Sequence, residues 1–211
     1  MKEKLLSALK WFYKSFIWLF IVLLGLDILS KQLIIHSGLV ADSGDYFDWG
    51  FVHIGYILNE RAAFGIGASN PTISRTIYLI VATLVSIGLV FYMIWKRKEM
   101  KLFIRACLVL IVTGALGNMI DRIFYGPLEY SGVTGLFTGS VVDWIDFWWF
   151  WGFNFNIADC CIVIAAFMLI IYIIVIEVKE MIAKRNAEIA MEKDLPEEEK
   201  QEANDENSKS E

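Results

Sequence analysis

The sequence predicts an all-α membrane protein: four transmembrane helices carrying a small β-containing extramembrane element on the non-cytoplasmic face. Three observations predict it. With 57% hydrophobic and 15% aromatic residues over 211 positions, and mean hydropathy +0.54, the chain is too apolar for a soluble domain of its size. Its apolar residues gather in runs at Trp11 to Ile35, Thr76 to Trp95, Leu102 to Ile120 and Ile157 to Ile176. Each run is near the ~20 residues that cross a hydrocarbon core roughly 30 Å thick. Third, Lys and Arg cluster at alternate ends of the four runs.

The first run follows Lys2, Lys4 and Lys10 and so has the outline of a secretory signal. It is too long for a signal h-region and has no small-residue cleavage site, so a retained first span is expected. The basic clusters are Lys2, Lys4, Lys10 and Lys14; Lys96, Arg97, Lys98, Lys101 and Arg105; and Lys179, Lys184 and Arg185. The opposite loops, 36–75 and 123–156, carry only Arg61 and Arg75. Short-loop basic residues mark the cytoplasmic side, which places both termini there. In the first outer loop, Phe51 to Leu58 is β-branched and aromatic enough for a short strand pair. In the second, the Trp-rich stretch from Val141 to Trp151 is expected at the headgroup boundary.

The net charge of −5 is a property of the C-terminal end. From Glu177 onward 12 acidic residues face 6 basic ones, net −6, which leaves the rest of the chain at +1. Acidity therefore carries no information about the substrate. Residues 1–176 form the membrane domain, 177–193 a cytoplasmic helix extension, and 194–211 a polar tail expected to be disordered. Cys107, Cys160 and Cys161 all lie in apolar spans and read as small buried hydrophobes. No Cys/His spacing suggests a metal, and no cofactor is expected.

Ionisable groups inside spans are costly, about 2.5 to 3.5 kcal/mol each on insertion scales, and so are functional candidates. Asp27 and Lys31 stack at i, i+4 in the first span, either as a structural ion pair or in contact with a ligand. Asn118, Asp121 and Arg122 share a face at the end of the third. Asn156 and Asp159 open the fourth; capping accounts for Asn156, whereas Asp159 lies inside the apolar run. All seven lie toward one bilayer face, with Asn59 and Asp143 in loops on that side, and unrelated structural groups would be divided between leaflets. Two carboxylates sharing a proton can activate water without a metal or a nucleophilic side chain, and Asp121, Asp143, Asp146 and Asp159 are all eligible.

Taken together, Asp27-Ile-Leu-Ser-Lys31, Asn59-Glu-Arg-Ala-Ala-Phe-Gly65, Gly117-Asn-Met-Ile-Asp-Arg122, Val141-Val-Asp-Trp144 and Phe155-Asn-Ile-Ala-Asp159 resemble the lipoprotein signal peptidase family, signal peptidase II. The resemblance implies an aspartyl endopeptidase of the bacterial cytoplasmic membrane that cuts diacylglyceryl-prolipoproteins before the lipidated cysteine. It implies catalytic roles for Asp143 and Asp159. Asp27, Lys31, Asn59, Asn118, Asp121, Arg122 and Asn156 then shape or polarise the site, Arg122 through forked hydrogen bonds to a carboxylate or a substrate carbonyl. The implied partners are the prolipoprotein and membrane lipid, with no nucleic acid, and the chain is expected to be a monomer.

Two features depart from the family pattern: Arg61 where Gly is usual, and a longer connection between Arg122 and Asp143, with extra residues near Tyr130 to Ser140. The residues alone also admit an ion-coupled transporter, or a scaffold whose aromatic outer loop binds lipid or a helix. Against transport, the ionisable groups gather at one face and form no chain through the bilayer.

Overall fold

The computed structural model describes residues 2–41, 44–59, 71–124, 139–149 and 153–194. Arg61 and most of the Tyr130 to Ser140 insertion lie outside them, as does the acidic tail beyond Asp194. Two compact units result, Met1–Phe167 and Met168–Glu211.

The N-terminal apolar run is broken. Helix α1 (Lys2–Ser15) ends at Phe16, which takes a left-handed conformation with φ 59°, and α2 (Ile17–His36) begins beyond it. The first helix long and apolar enough to cross a membrane is therefore Ile17–His36, and the expected start at Trp11 is corrected. Left-handed backbone costs a residue with a Cβ about 1 to 2 kcal/mol, so neighbouring bonds must hold the corner. Ser15 Oγ donates to Phe12 O at 2.8 Å, the Trp18 indole to Tyr13 O at 3.2 Å and Arg105 Nη1 to Lys14 O at 3.0 Å. Three of the last four carbonyls of α1, those of Phe12, Tyr13 and Lys14, gain partners in this way.

The other apolar helices are α3 (Pro71–Trp95), α4 (Leu102–Phe124) and α5 (Ile157–Asp194), and among the described residues four helices meet the length and composition of a membrane span. The chain is a multi-pass membrane protein. The 38 residues of α5 extend about 57 Å at the α-helical rise, so the helix continues well past a bilayer core.

The loops build one antiparallel sheet in the order β1 (Phe47–Asp48), β2 (His53–Asn59), β3 (Val141–Phe147), β4 (Phe153–Phe155). The stretch expected as a strand pair, Phe51 to Leu58, supplies the one strand β2, whose partner in that loop is Phe47–Asp48 just before it, and strands from the second loop complete the sheet. Between β2 and β3 the register moves from Ile54 opposite Ile145 to Ile57 opposite Asp143, a bulge that adds one residue to β2. Ile34 at the end of α2 packs with Tyr56 of β2 and Val142 of β3 in a buried cluster flanked by Ile35, Leu58 and Trp144. That cluster seats the sheet on the end of α2 and fixes where Asp143 lies.

Candidate active site

Asp27, Lys31, Asn59, Asn118, Asp121, Arg122, Asp143, Asn156 and Asp159 are drawn into one connected network, which leaves out Asp146. Its base is Lys31, fully buried, whose ammonium contacts Asp27 Oδ2 at 2.7 Å, Asp121 Oδ2 at 2.8 Å and Asn118 Oδ1 at 3.4 Å. An ammonium has three N–H donors, so these acceptors use all of them. Asp27 and Lys31 form an ion pair, and Asp121 joins it. Gly117 permits this approach: a Cβ there would lie 2.7 Å from Asp27 Oδ2 and 2.9 Å from Ala158 Cβ.

The second layer is the start of α5. Asn156 Oδ1 accepts the Asp159 N–H at 2.9 Å, and Asp159 Oδ2 accepts the Asn156 N–H at 3.3 Å. This reciprocal arrangement is a capping box with Asp in the position usually held by Glu or Gln. Capping thus does account for one oxygen of Asp159, contrary to the sequence expectation. Asp27 Oδ1 accepts the Ala158 N–H at 2.9 Å, so a carboxylate from α2 completes the cap. The other Asp159 oxygen, Oδ1, accepts from Asn118 Nδ2 at 2.6 Å.

The third layer is β3. Asp143 Oδ1 accepts from Asn156 Nδ2 at 2.8 Å, and its Oδ2 from Asn59 Nδ2 at 2.9 Å. The register puts Asn59 opposite Val141, so Asn59 and Asp143 are diagonal neighbours on one face of the sheet. The Val142 N–H donates to Asp121 Oδ2 at 3.2 Å and ties the strand to α4. Asn156 thus bonds to both Asp143 and Asp159, and through its side-chain amide it also donates to Asn118 Oδ1 at 3.0 Å. Asp146, the fourth eligible acid, lies elsewhere on β3, with one oxygen 3.7 Å from His53 Nδ1.

Electrostatics separate the acids. Four aspartates (Asp27, Asp121, Asp143, Asp159) converge with two cations (Lys31, Arg122) in a region largely closed to water. Burial first, and then the Asp159 carboxylate, push the Asp143 carboxyl up from 3.8 to about 8, against the opposing Asn59 hydrogen bond, Lys31 charge and Asn156 hydrogen bond. Two buried carboxylates this close do not readily both ionise, which favours one proton on the Asp143–Asp159 pair near neutral pH. Asp143 is 1% exposed, whereas Asp159 and Asn59 are half-buried.

Arg122 lies over the Tyr78 ring at 3.7 Å from its centroid and donates to Asn118 O at 3.1 Å. Tyr78 and the backbone N–H groups of Ala158 and Val142 are site elements that the sequence did not single out, whereas Gly117 stood in one of its blocks. An aromatic hydroxyl two positions into an apolar run was a usable signal for Tyr78. The backbone donors leave none in a sequence.

Comparison with known proteins agrees with this architecture. Residues 19–175 match the family model described as signal peptidase (SPase) II. The lipoprotein signal peptidase of Clostridioides difficile (strain 630) is 34% identical over 164 residues, 78% of this chain and 97% of that protein. That of Fusobacterium nucleatum subsp. nucleatum is 32% identical over 157 residues, 74% of this chain and 84% of its own. A bacterial membrane enzyme solved by the in meso method at 2.3 Å resolution superposes with TM-score 0.55 at 28% identity, covering 76% of this chain and 90% of that one. Four membrane-length helices, a buried polar network where they meet the sheet, and a family match across three quarters of the chain make this protein a member of the lipoprotein signal peptidase family, proteases that remove signal peptides from prolipoproteins.

Proposed function

We propose that the chain is an aspartyl endopeptidase in which Asp143 and Asp159 are the catalytic pair, cutting diacylglyceryl-prolipoproteins before the lipidated cysteine. The observation that carries this reading is the joint hold of Asn156 on both acids, 2.8 Å to Asp143 Oδ1 and 3.3 Å from its backbone N to Asp159 Oδ2. Of the four eligible acids, Asp121 is committed to Lys31 and Val142, and Asp146 faces His53.

In this reading the pair shares one proton: Asp143, whose carboxyl burial pushes up to about 8, carries it as the general acid, and Asp159 is the base. Asp159 takes a proton from water as its oxygen bonds to the scissile carbonyl carbon, and Asp143 gives its proton to the carbonyl oxygen. When the tetrahedral gem-diol collapses, the C–N bond breaks, Asp159 delivers its proton to the departing amine and Asp143 recovers one from the hydroxyl. Asn59, Asn118 and Asn156 keep the two acids in register, while Asp27, Lys31 and Asp121 brace the three elements that carry them.

The orientation proposed follows the basic clusters, with both termini cytoplasmic and the sheet and acids on the outer face. There a signal helix can reach the site laterally from the bilayer while its acyl chains stay in lipid. Purified full-length protein in detergent, given a diacylglyceryl prolipoprotein, is expected to yield the shortened product with a lipidated cysteine at its new N-terminus. Asp143→Asn and Asp159→Asn are each expected to abolish it. Undiminished cleavage by either variant, or equal cleavage of substrate lacking the diacylglyceryl group, overturns the assignment.

A further inference from the structure

The family match begins at residue 19, and a relative aligned over 97% of its own length covers 78% of this chain. Helix α1 (Lys2–Ser15) lies wholly outside the match, so the protease fold does not account for it. None of its residues is buried.

Its pattern is specific. Leu5, Leu9 and Phe12 recur at spacings of four and three, and Leu6, Leu9 and Tyr13 at three and four, so all five share one helical face. Ser7, Lys10 and Lys14, spaced by three and four, lie on the other with Glu3, Lys4 and Trp11, while Lys2, in the first turn, falls on the apolar side. Four lysines against one glutamate make the helix net +3. The apolar face is largely uncovered: Leu5 is 62% exposed, Leu9 55% and Tyr13 67%, with the Tyr13 ring stacked on Trp18 at 6.1 Å near the corner.

Position supplies the second observation. The left-handed Phe16 turns the chain between α1 and the membrane span that starts at Ile17, so α1 is not an extension of that span. Arg105, at the start of α4, donates to Lys14 O and also, at 2.5 Å, to Arg97 O in the connection after α3. The corner is thereby fastened at the end of the helices opposite Asp121 and Arg122, beside Lys96, Arg97, Lys98 and Lys101. An apolar stripe tethered at the mouth of a membrane span, with lysines above it and a basic collar alongside, matches the bilayer surface in both polarity and charge.

We propose that α1 is an interfacial anchor: it lies in the headgroup layer with Leu5, Leu6, Leu9, Phe12 and Tyr13 toward the acyl chains and its lysines against anionic phospholipid phosphates. The function is separate from catalysis and does not depend on which acids cut the peptide bond.

The test uses full-length protein in nanodiscs of phosphatidylcholine with and without phosphatidylglycerol. An environment-sensitive fluorophore is attached at Leu9→Cys or at Ser7→Cys, with the unsubstituted protein measuring any signal from Cys107, Cys160 and Cys161. With phosphatidylglycerol present, the Leu9 label is expected to emit to the blue and resist a water-soluble quencher while the Ser7 label stays quenchable. Replacing Lys4, Lys10 and Lys14 by Gln is expected to weaken docking on the order of a hundredfold, about fivefold per lysine, with detergent-phase cleavage unchanged. Quenching of both labels, or protection of both, overturns the proposal. So does Leu9 protection that ignores both the anionic lipid and the lysines, because an apolar protein contact would then cover that face.

Discussion

Asn156 and Asp159 cap one another: each accepts the other's backbone N–H through a side-chain oxygen, at 2.9 Å and 3.3 Å. The same Asn156 side chain also donates to Asp143 at 2.8 Å, so one residue combines a structural bond with a positioning one. Substitution separates them. Ser replaces Asn as a helix cap at a cost of a few tenths of a kcal/mol, but its short hydroxyl cannot reach Asp143 as the amide does. Asn156→Ser is expected to unfold in detergent close to the parent while its kcat falls about a hundredfold, the scale of a catalytic group misplaced by an ångström. Asn156→Ala should lose the activity and also about 1 kcal/mol of stability. Equal stability losses in the two variants would deny the cap.

The raised Asp143 carboxyl makes a pH prediction with a definite sign. The acid must be protonated to act, so kcat is expected to hold at neutral pH and to fall as pH rises through about 8. Stability moves the same way. The folded-state value lies above the ordinary 3.8, so the contribution is full below that value and is lost as pH climbs toward about 8, because the unfolded chain ionises first. Asp143→Asn, inactive at every pH, is therefore expected to match the parent near pH 4 and to exceed it in unfolding temperature above pH 8. A parent profile flat to pH 10 would remove Asp143 as the proton donor.

Lys31 is enclosed by Asp27, Asp121 and Asn118 with no exposed surface, and removing it strands two buried carboxylates. Lys31→Met is expected to cost roughly 3 to 5 kcal/mol, the range for breaking a buried pair. Adding Asp27→Asn should recover part of this, with a coupling energy on the order of 1 to 3 kcal/mol in a double-mutant cycle. Chemical unfolding in detergent micelles measures both. If Lys31→Met kept full stability and lost only activity, Lys31 would belong to the substrate contacts and not to the frame.

The parts of this fold legible in sequence are those where a membrane makes a residue expensive. Asp27, Lys31, Asn118, Asp121 and Asp159 stand out because apolar spans exclude such groups, and their common end of the spans predicted a shared site that the structure assembles. Choosing among the acids was not possible from spacing. That choice depends on the β2–β3 register, which sets Asp143 beside Asn59 and leaves Asp146 with His53, and register is a long-range property. The corner at Phe16 was hidden for another reason. Left-handed positions favour Gly, and here bonds from Ser15, Trp18 and Arg105 hold a Phe there, only the first two being local.

Gly117 offers a test of whether the frame acts through contact distance. A methyl group at this position would sit 2.7 Å from Asp27 Oδ2 and 2.9 Å from Ala158 Cβ, too close on both sides. Overpacking of this kind typically costs about 1 to 3 kcal/mol. Asp27 bears on Lys31 and on the Ala158 N–H at the start of α5, so its displacement should travel to Asp159 and lower kcat about a hundredfold. Gly88→Ala in α3, where no atom lies within 4 Å of the new methyl, controls for the substitution and should leave both stability and activity intact. Pairing Gly117→Ala with Ala158→Gly removes the clash with α5 and leaves the one with Asp27. The pair should regain stability without regaining activity, since the carboxylate remains pushed aside. Full recovery of cleavage would show that helix spacing alone, and not the placement of Asp27, is what Gly117 protects.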